Sequence, residues 1–245
     1  MVNRSPSRLG EAPASLDRRL IFTPDRTALY VSVPKTGCTT IKTVMGGATG
    51  LLDPESQDYR FSNPSIHNTW KDREIKWGDL AKRDRALMLA GGATFRFTSV
   101  RNPFERAVSC YLDRIVNHRR DSYLGQSFGE GGDVSLLMFL RVVAAQTPLE
   151  RDIHCRAMSD LTFSDRLIYD DIVRYETFDA DLRRVMGRLG LEDAAIPAPR
   201  PSDITHAKQR LGELLGGEEC DLIREIYASD FATFGYPARP SLDGD

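Results

Sequence analysis

The segment VSVPKTGCTTIK, Val31 to Lys42, sets a lysine, a glycine and a run of small and hydroxyl residues between a β-branched strand end and the start of a helix. This is the layout of an anion cradle. Gly37 and its small neighbours let backbone N–H groups approach a phosphate or sulfate, and a helix N-terminus there adds about half a positive charge. Lys35 brings a full charge, and Thr39 and Thr40 bring hydroxyl donors. A nucleoside-triphosphate loop of the form G-x-x-x-x-G-K-[ST] has lysine directly after glycine and then a Ser or Thr for magnesium. Here lysine stands two positions before glycine, so the loop suits a phosphate-like group without the usual Mg-ATP geometry. Taken alone, the same residues would also suit an ordinary strand-to-helix turn with an exposed lysine.

A second segment, FTSVRNPFERAVSCYLDRI, ends another strand at Arg101 and carries Ser109 on the helix that follows. A guanidinium grips a phosphate in bidentate fashion and a serine adds a hydroxyl. If the two strands are neighbours, Arg101, Ser109 and Lys35 lie near one sheet edge. Two separate anion grips then fit one ligand with phosphate groups at both ends. The cysteines Cys38, Cys110, Cys155 and Cys220 form no C-x-x-C pair and no tight Cys/His cluster. Their spacing suggests neither a zinc site nor a disulfide framework, and it leaves long-range pairing open. Asp170 and Asp171 read as a polar strand end rather than as metal ligands.

The elements that must position these residues alternate. ALYVSV (Ala28 to Val33), FRFTSV (Phe95 to Val100) and RLIYDDIVRY (Arg166 to Tyr175) carry strand signals. Phe104, Val108, Tyr111, Leu112 and Ile115 recur at helical spacing, as do Phe178, Leu182, Val185, Met186 and Leu189 ahead of Gly190. Leu222, Ile223, Ile226 and Tyr227 mark a further helix. Another is expected from Asp133 to Gln146 with Met138, Phe139 and Val142 on one side, as core or as a wall of an acceptor pocket. Strand, loop and helix in repetition argue for an α/β fold, a parallel sheet with flanking helices that binds ligands at the C-terminal strand ends.

Composition excludes several classes. The chain has 245 residues, 41% of them apolar and 28% charged, as soluble globular proteins do. With 33 basic and 35 acidic residues the net charge is −2, so no overall basic field holds nucleic acid and any anion site is local. VSLLMFLRVVAA, Val134 to Ala145, is the most apolar run, far short of the roughly 20 residues that span a bilayer. The first twenty residues lack the apolar core of a signal peptide. A reduced, cytoplasmic protein without a membrane span is expected. Residues 1–15 and 239–245 read as loose tails around a single domain over 16–238.

VPKTGCTTIK and FTSVRNPFERAVSCY together resemble the carbohydrate sulfotransferases of the chondroitin, dermatan and HNK-1 type and their bacterial relatives (sulfotransferase family 2). Those enzymes take a sulfuryl group from 3′-phosphoadenosine 5′-phosphosulfate (PAPS). IYDDIVRYETFDADL and IYASDFATFGYP are similar to later stretches of that family. The resemblance implies a three-layer, P-loop-like sulfotransferase fold, PAPS as donor, no catalytic metal, and a hydroxyl on a sugar or comparable molecule as acceptor. Carried over by position, Lys35, Thr36, Gly37, Cys38, Thr39 and Thr40 hold the 5′ phosphosulfate, and Arg101 and Ser109 hold the 3′ phosphate. The family uses the Cys38 position as a small backbone donor, which argues against a cysteine nucleophile. The lack of the anchor that Golgi relatives carry points to soluble, bacterial-type chemistry.

Sulfuryl transfer moves a neutral SO3 unit in line between an acceptor oxygen and a phosphate oxygen. The protein must align the two and stabilise the charge left behind. Lys35 is assigned to that charge. A base takes the acceptor proton. Among four histidines, His118 and His206 sit in polar, solvent-facing contexts. His67 falls between the two motifs, where some related sulfotransferases place a catalytic histidine. His154 resembles a histidine followed by Arg-Pro-Gln in many relatives, with Ala157 and Met158 replacing the Pro and Gln here; His154 and Arg156 are expected on the acceptor or donor side. Glu55, Asp58, Asp72 and Glu74 are carboxylate alternatives. The competing functions are a small-molecule kinase of related fold and a nucleotide-binding module that does not turn over.

Overall fold

The computed structural model describes residues 20–56, 59, 66–71, 80–90, 94–119, 123–129, 132–199 and 204–241. The tail expected over residues 1–15 lies outside them, as do Asp58, Asp72 and Glu74. In chain order the strands are β1 (Leu20–Phe22), β2 (Ala28–Val31), β3 (Phe95–Val100) and β4 (Asp171–Arg174). The α-helices are α1 (Cys38–Ala48), α2 (Ile66–Lys71), α3 (Lys82–Ala90), α4 (Pro103–Tyr111), α5 (Tyr123–Gln126), α6 (Leu136–Ala145), α7 (Met158–Thr162), α8 (Phe178–Arg188), α9 (Leu211–Leu214), α10 (Gly217–Ile226) and α11 (Ala228–Phe234). A π-helix, Leu112–Asn117, continues α4.

The sheet order is β1-β2-β3-β4. β2, β3 and β4 run parallel, whereas β1 is antiparallel to β2. The three strands expected from the sequence thus run parallel, and β1 adds an antiparallel edge strand that the expected parallel sheet did not include. β1 is three residues long, too short to display an alternation, and a tight turn through Pro24, Asp25 and Arg26 returns it to β2.

Side chains alternate across the sheet as the pleat requires. Ile21, Tyr30, Phe97 and Val173 face one way and pack against Ile41, Val44 and Met45 of α1 and Leu182, Val185 and Met186 of α8. Leu20, Phe22, Leu29 and Val31 face the other way against Leu80, Phe163 and Leu167. Both faces are thus covered, as the β-branched and aromatic strand runs demand. A separate helical core joins Phe104 and Val108 of α4, Phe139 and Leu140 of α6, Ile223 of α10 and Phe231 of α11. In α6, Phe139 is buried while Met138 and Val142 are exposed, so the three do not share one side. Ser135 caps that helix by accepting from the Met138 N–H at 3.2 Å. Among the described residues no helix is long and apolar enough to cross a membrane.

Candidate active site

Val31 pairs with Thr98 in parallel register, so Pro34 and Arg101 each stand three residues beyond that pair at the same edge of the sheet. The chain leaves β2 through a loop that bends twice into left-handed backbone, at Lys35 (φ 69°) and Gly37 (φ 82°). Gly37 is required there for a second reason. A Cβ on it would lie 2.4 Å from Cε2 of Phe178, whose ring covers the loop. The Thr36 hydroxyl, fully buried, bonds the Val33 carbonyl at 2.8 Å and Ser99 Oγ at 2.6 Å, and Ser99 in turn meets the Tyr30 hydroxyl at 2.9 Å. Thr36 thereby ties the loop to β3 through its side chain. α1 then begins with no side-chain cap and no acid in its first turn. Its N-terminal field faces the loop, with no acidic residue in the first turn to offset it.

Arg101 leaves β3 almost fully buried. Its guanidinium meets Glu105 Oε2 at 3.1 Å and lies 4.0 Å from the centroid of the Tyr175 ring. Ser109, two turns along α4, contacts Thr205 Oγ1 at 3.0 Å. Asn102 caps α4 by accepting from the Phe104 N–H, and its own N–H donates to Glu176 Oε1 at 2.6 Å. Glu176 also accepts from the Tyr236 hydroxyl, so the helical turn Tyr175–Thr177 that follows β4 braces the Arg101 turn. Asp170 pairs with Arg96, and Asp171 with Arg184. Among the described residues no cluster of three or more His, Cys, Asp or Glu is arranged to hold a metal ion.

Arg106 links the two grips. It is fully buried, and it donates to the carbonyls of Pro34 (3.1 Å), Arg156 (2.8 Å) and Ile153 (3.4 Å). One side chain of α4 thus holds the 34–37 loop and the turn that carries His154.

Lys35 Nζ pairs with Asp113 Oδ2 at 3.3 Å. The same carboxylate faces Arg114 at 3.0 Å, and Arg114 Nη2 lies 2.7 Å from His154 Nε2. On its other side His154 Nδ1 lies 2.7 Å from Asp152 Oδ1. These contacts assign the tautomer: Nδ1–H donates to Asp152 and Nε2 accepts from the guanidinium. His67 Nε2 lies 3.2 Å from Thr39 Oγ1 at the head of α1. Burial, with repulsion from Lys42, His154 and Arg114, pulls the His67 imidazole down to about 4. Burial also lowers His154, with Arg114 and Lys35 adding to the effect and Asp152 opposing it. Both rings are neutral at pH 7.

The sequence-expected residues therefore gather as two linked groups. Lys35, Thr39, His67 and His154 surround the loop and share one electrostatic environment, and Arg101 and Ser109 form the second grip across Arg106. His118, His206 and Glu55 are exposed. Arg156 turns its guanidinium to the carbonyls of Leu149 and Arg151. It lines a cavity of about 460 Å³ with Leu149, Phe163 and Arg166, and Lys35, Arg101, Ser109 and His154 are not among its lining. Lys42, Arg106, Asp113 and Asp152 are the charged residues that motif reading passed over.

The Sulfotransferase family model matches residues 18–237 of the chain. This chain belongs to the sulfotransferase family. Human carbohydrate sulfotransferase 9 is 24% identical over 232 residues, covering 85% of this chain and 51% of the relative. Human carbohydrate sulfotransferase 8 is 28% identical over 201 residues, covering 72% of this chain and 44% of the relative. Rat carbohydrate sulfotransferase 11 is 22% identical over 249 residues, covering 89% of this chain and 67% of the relative. This sulfotransferase-family chain thus spans about half the length of the first two relatives. No solved structure matches it significantly.

Proposed function

We propose that the chain is a P-loop-like sulfotransferase that moves the sulfuryl group of PAPS to a hydroxyl of a carbohydrate or carbohydrate-like acceptor. The observation that carries this reading is the pair of cationic grips at the C-terminal ends of adjacent parallel strands, joined by Arg106. A donor with anionic groups at both ends fits that pair. The uncapped start of α1 with Lys35 matches a phosphosulfate, and buried Arg101 with Ser109 matches a second phosphate. The names of the similar relatives support a carbohydrate acceptor.

The donor supplies, when bound, the sulfuryl group and a phosphate oxygen that leaves. Lys35 neutralises the charge developing on that oxygen, assisted by the N–H groups and threonine hydroxyls at the head of α1. Arg101 and Ser109 fix the far end of the donor and so the register of the near end. His67 is neutral at pH 7 and accepts the acceptor's hydroxyl proton as the new oxygen–sulfur bond forms. His154, with both ring nitrogens engaged by Asp152 and Arg114, positions the cationic side of the acceptor site rather than taking that proton.

The test is calorimetric titration with 3′-phosphoadenosine 5′-phosphate beside Mg-ATP. Micromolar binding of the former, lost in Arg101→Ala, supports the donor site, and a screen of desulfated glycans and simple glycosides with PAPS then seeks transfer. Binding of Mg-ATP alone would replace this reading with the kinase one.

A further inference from the structure

We propose that Cys110 and Cys155 are a disulfide-forming pair, and that their bond fastens the turn carrying His154 to helix α4. Their sulfurs lie 3.3 Å apart, and both residues are fully buried. A disulfide holds its sulfurs about 2.0 Å apart, so closure asks for an approach of about 1.3 Å from the 3.3 Å observed. Among the described residues these are the two cysteines whose sulfurs meet; Cys38 heads α1 and Cys220 lies on α10.

The surrounding backbone is already set for the bond. Arg106 stands one helical turn before Cys110 on the same face of α4. Its guanidinium donates to the carbonyls of Ile153 and Arg156, which bracket Cys155 on both sides. The Cys155 N–H donates to the Asp152 carbonyl at 2.9 Å, closing the turn on itself. The two side chains therefore meet across a gap whose flanking backbone is held by Arg106, and the sulfurs close it by the approach of about 1.3 Å. His154 is the neighbour of Cys155, so the cross-link would also anchor its ring between Asp152 and Arg114.

Closure removes one proton from each thiol and two electrons from the pair as the S–S bond forms. A small-molecule disulfide such as oxidised glutathione takes them up, its own S–S bond breaks, and two thiols are released through a mixed disulfide. In the folded protein neither sulfur is accessible, and the hydrogen bond shared with Cys110 together with burial holds the Cys155 thiol well above its ordinary value. Exchange therefore happens as the chain folds, or when the turn lifts from α4. The bond closes a loop of 45 residues, and constraining the unfolded chain should raise Tm by roughly 5–10 °C.

The wild-type chain is refolded from urea in a glutathione redox buffer, remaining thiols are alkylated, and the protein is digested for mass spectrometry. In parallel, folded protein is held with oxidised glutathione in urea below the unfolding transition, so a failure to refold does not decide the result. The expected product links the Cys110 and Cys155 peptides, leaves Cys38 and Cys220 alkylated, and loses its extra thermal stability on addition of dithiothreitol. Four alkylated cysteines under both conditions, or a dominant link through Cys38 or Cys220, would overturn the proposal. Neither donor nor acceptor enters the test, so its outcome is separate from that of the transfer reading.

Discussion

Lys35 Nζ sits 3.3 Å from Asp113 Oδ2, and that carboxylate simultaneously faces Arg114. The cation assigned to the leaving oxygen is therefore held by the π-helix that follows the Arg101 and Ser109 segment. Lys35→Ala should lower kcat by roughly 10²–10³-fold, the range for loss of one charge-stabilising group. Affinity for the desulfated nucleotide should fall by less than about tenfold, since that charge matters most in the transition state. Steady-state kinetics beside calorimetry separates the two, and equal losses would make Lys35 a binding residue only. Asp113→Asn takes one negative charge from the anion site, so nucleotide binding should tighten at low salt and weaken more steeply as salt is added.

His67 ties stability to pH in a direction that can be worked out. Its imidazole titrates near 6.5 in the unfolded chain and at about 4 when folded. Between those values the unfolded state binds the extra proton, so stability rises with pH through this window and is flat above it. Full realisation of the shift corresponds to an upper bound of about 3 kcal/mol. His67→Gln should therefore lose less stability than wild type between pH 7 and pH 4.5, as measured by urea unfolding. If His67 is the base, the acid limb of kcat/KM also falls below pH 6. A limb centred near 6.5 would assign the role elsewhere.

The loop and its two flanking strands were legible because their signals are local. Short β-branched and aromatic runs ending at Pro34 and at Arg101 announce strand ends, and strand β3 falls on Phe95–Val100, buried along its whole length. The strand signal over Arg166 to Tyr175 is longer than the strand itself, Asp171–Arg174, because Phe163, Leu167 and Tyr169 pack in the turn before it, against the other face of the sheet. The partners of the site were less legible. Nothing in the types of Asp113 and Arg114 announces that the helix widens there, with the His118 N–H reaching the Asp113 carbonyl. That wider turn re-aims both side chains toward Lys35 and His154. Arg106 was invisible because arginine is ordinarily exposed, and only tertiary contacts reveal three carbonyls waiting for it. Asp152 carried a usable signal, since an Asp two residues before a His can reach its ring, as it does at 2.7 Å.

Arg106 is the side chain whose loss should be felt in both stability and binding. Its guanidinium satisfies three carbonyls, those of Pro34 and Arg156 buried, and shares the interior with buried Asp230, whose carboxylate accepts from the N–H groups of Met158 and Ser159. Arg106→Met leaves those carbonyls unpaired and Asp230 without its nearby positive charge. The expected cost is about 3–5 kcal/mol in urea unfolding. Adding Asp230→Asn to that variant should cost less than it does alone in the wild-type background, because the two charges act together. Strict additivity would mean that Arg106 works through its carbonyls alone. Nucleotide affinity should fall as well, since the Pro34 carbonyl is one anchor of the 34–37 loop.

Gly37 and Phe178 make the last case, because the loop geometry and the ring above it press on the same atom. Gly37→Ala places a methyl group 2.4 Å from the Phe178 ring and asks an L-residue to hold φ at 82°. The backbone conformation alone costs about 1–2 kcal/mol, and overpacking adds about 1–3 kcal/mol. Phe178→Leu combined with Gly37→Ala should restore the packing part and leave the backbone part, so the double variant should be more stable than Gly37→Ala alone yet less stable than Phe178→Leu. Thermal unfolding of the four proteins measures this directly. Nucleotide affinity should follow the backbone rather than the packing, since the N–H groups at the head of α1 are aimed by φ at Gly37. A double variant that regains stability without regaining affinity is the expected result. Full recovery of both would mean that the ring, and not the left-handed glycine, sets the shape of the cradle.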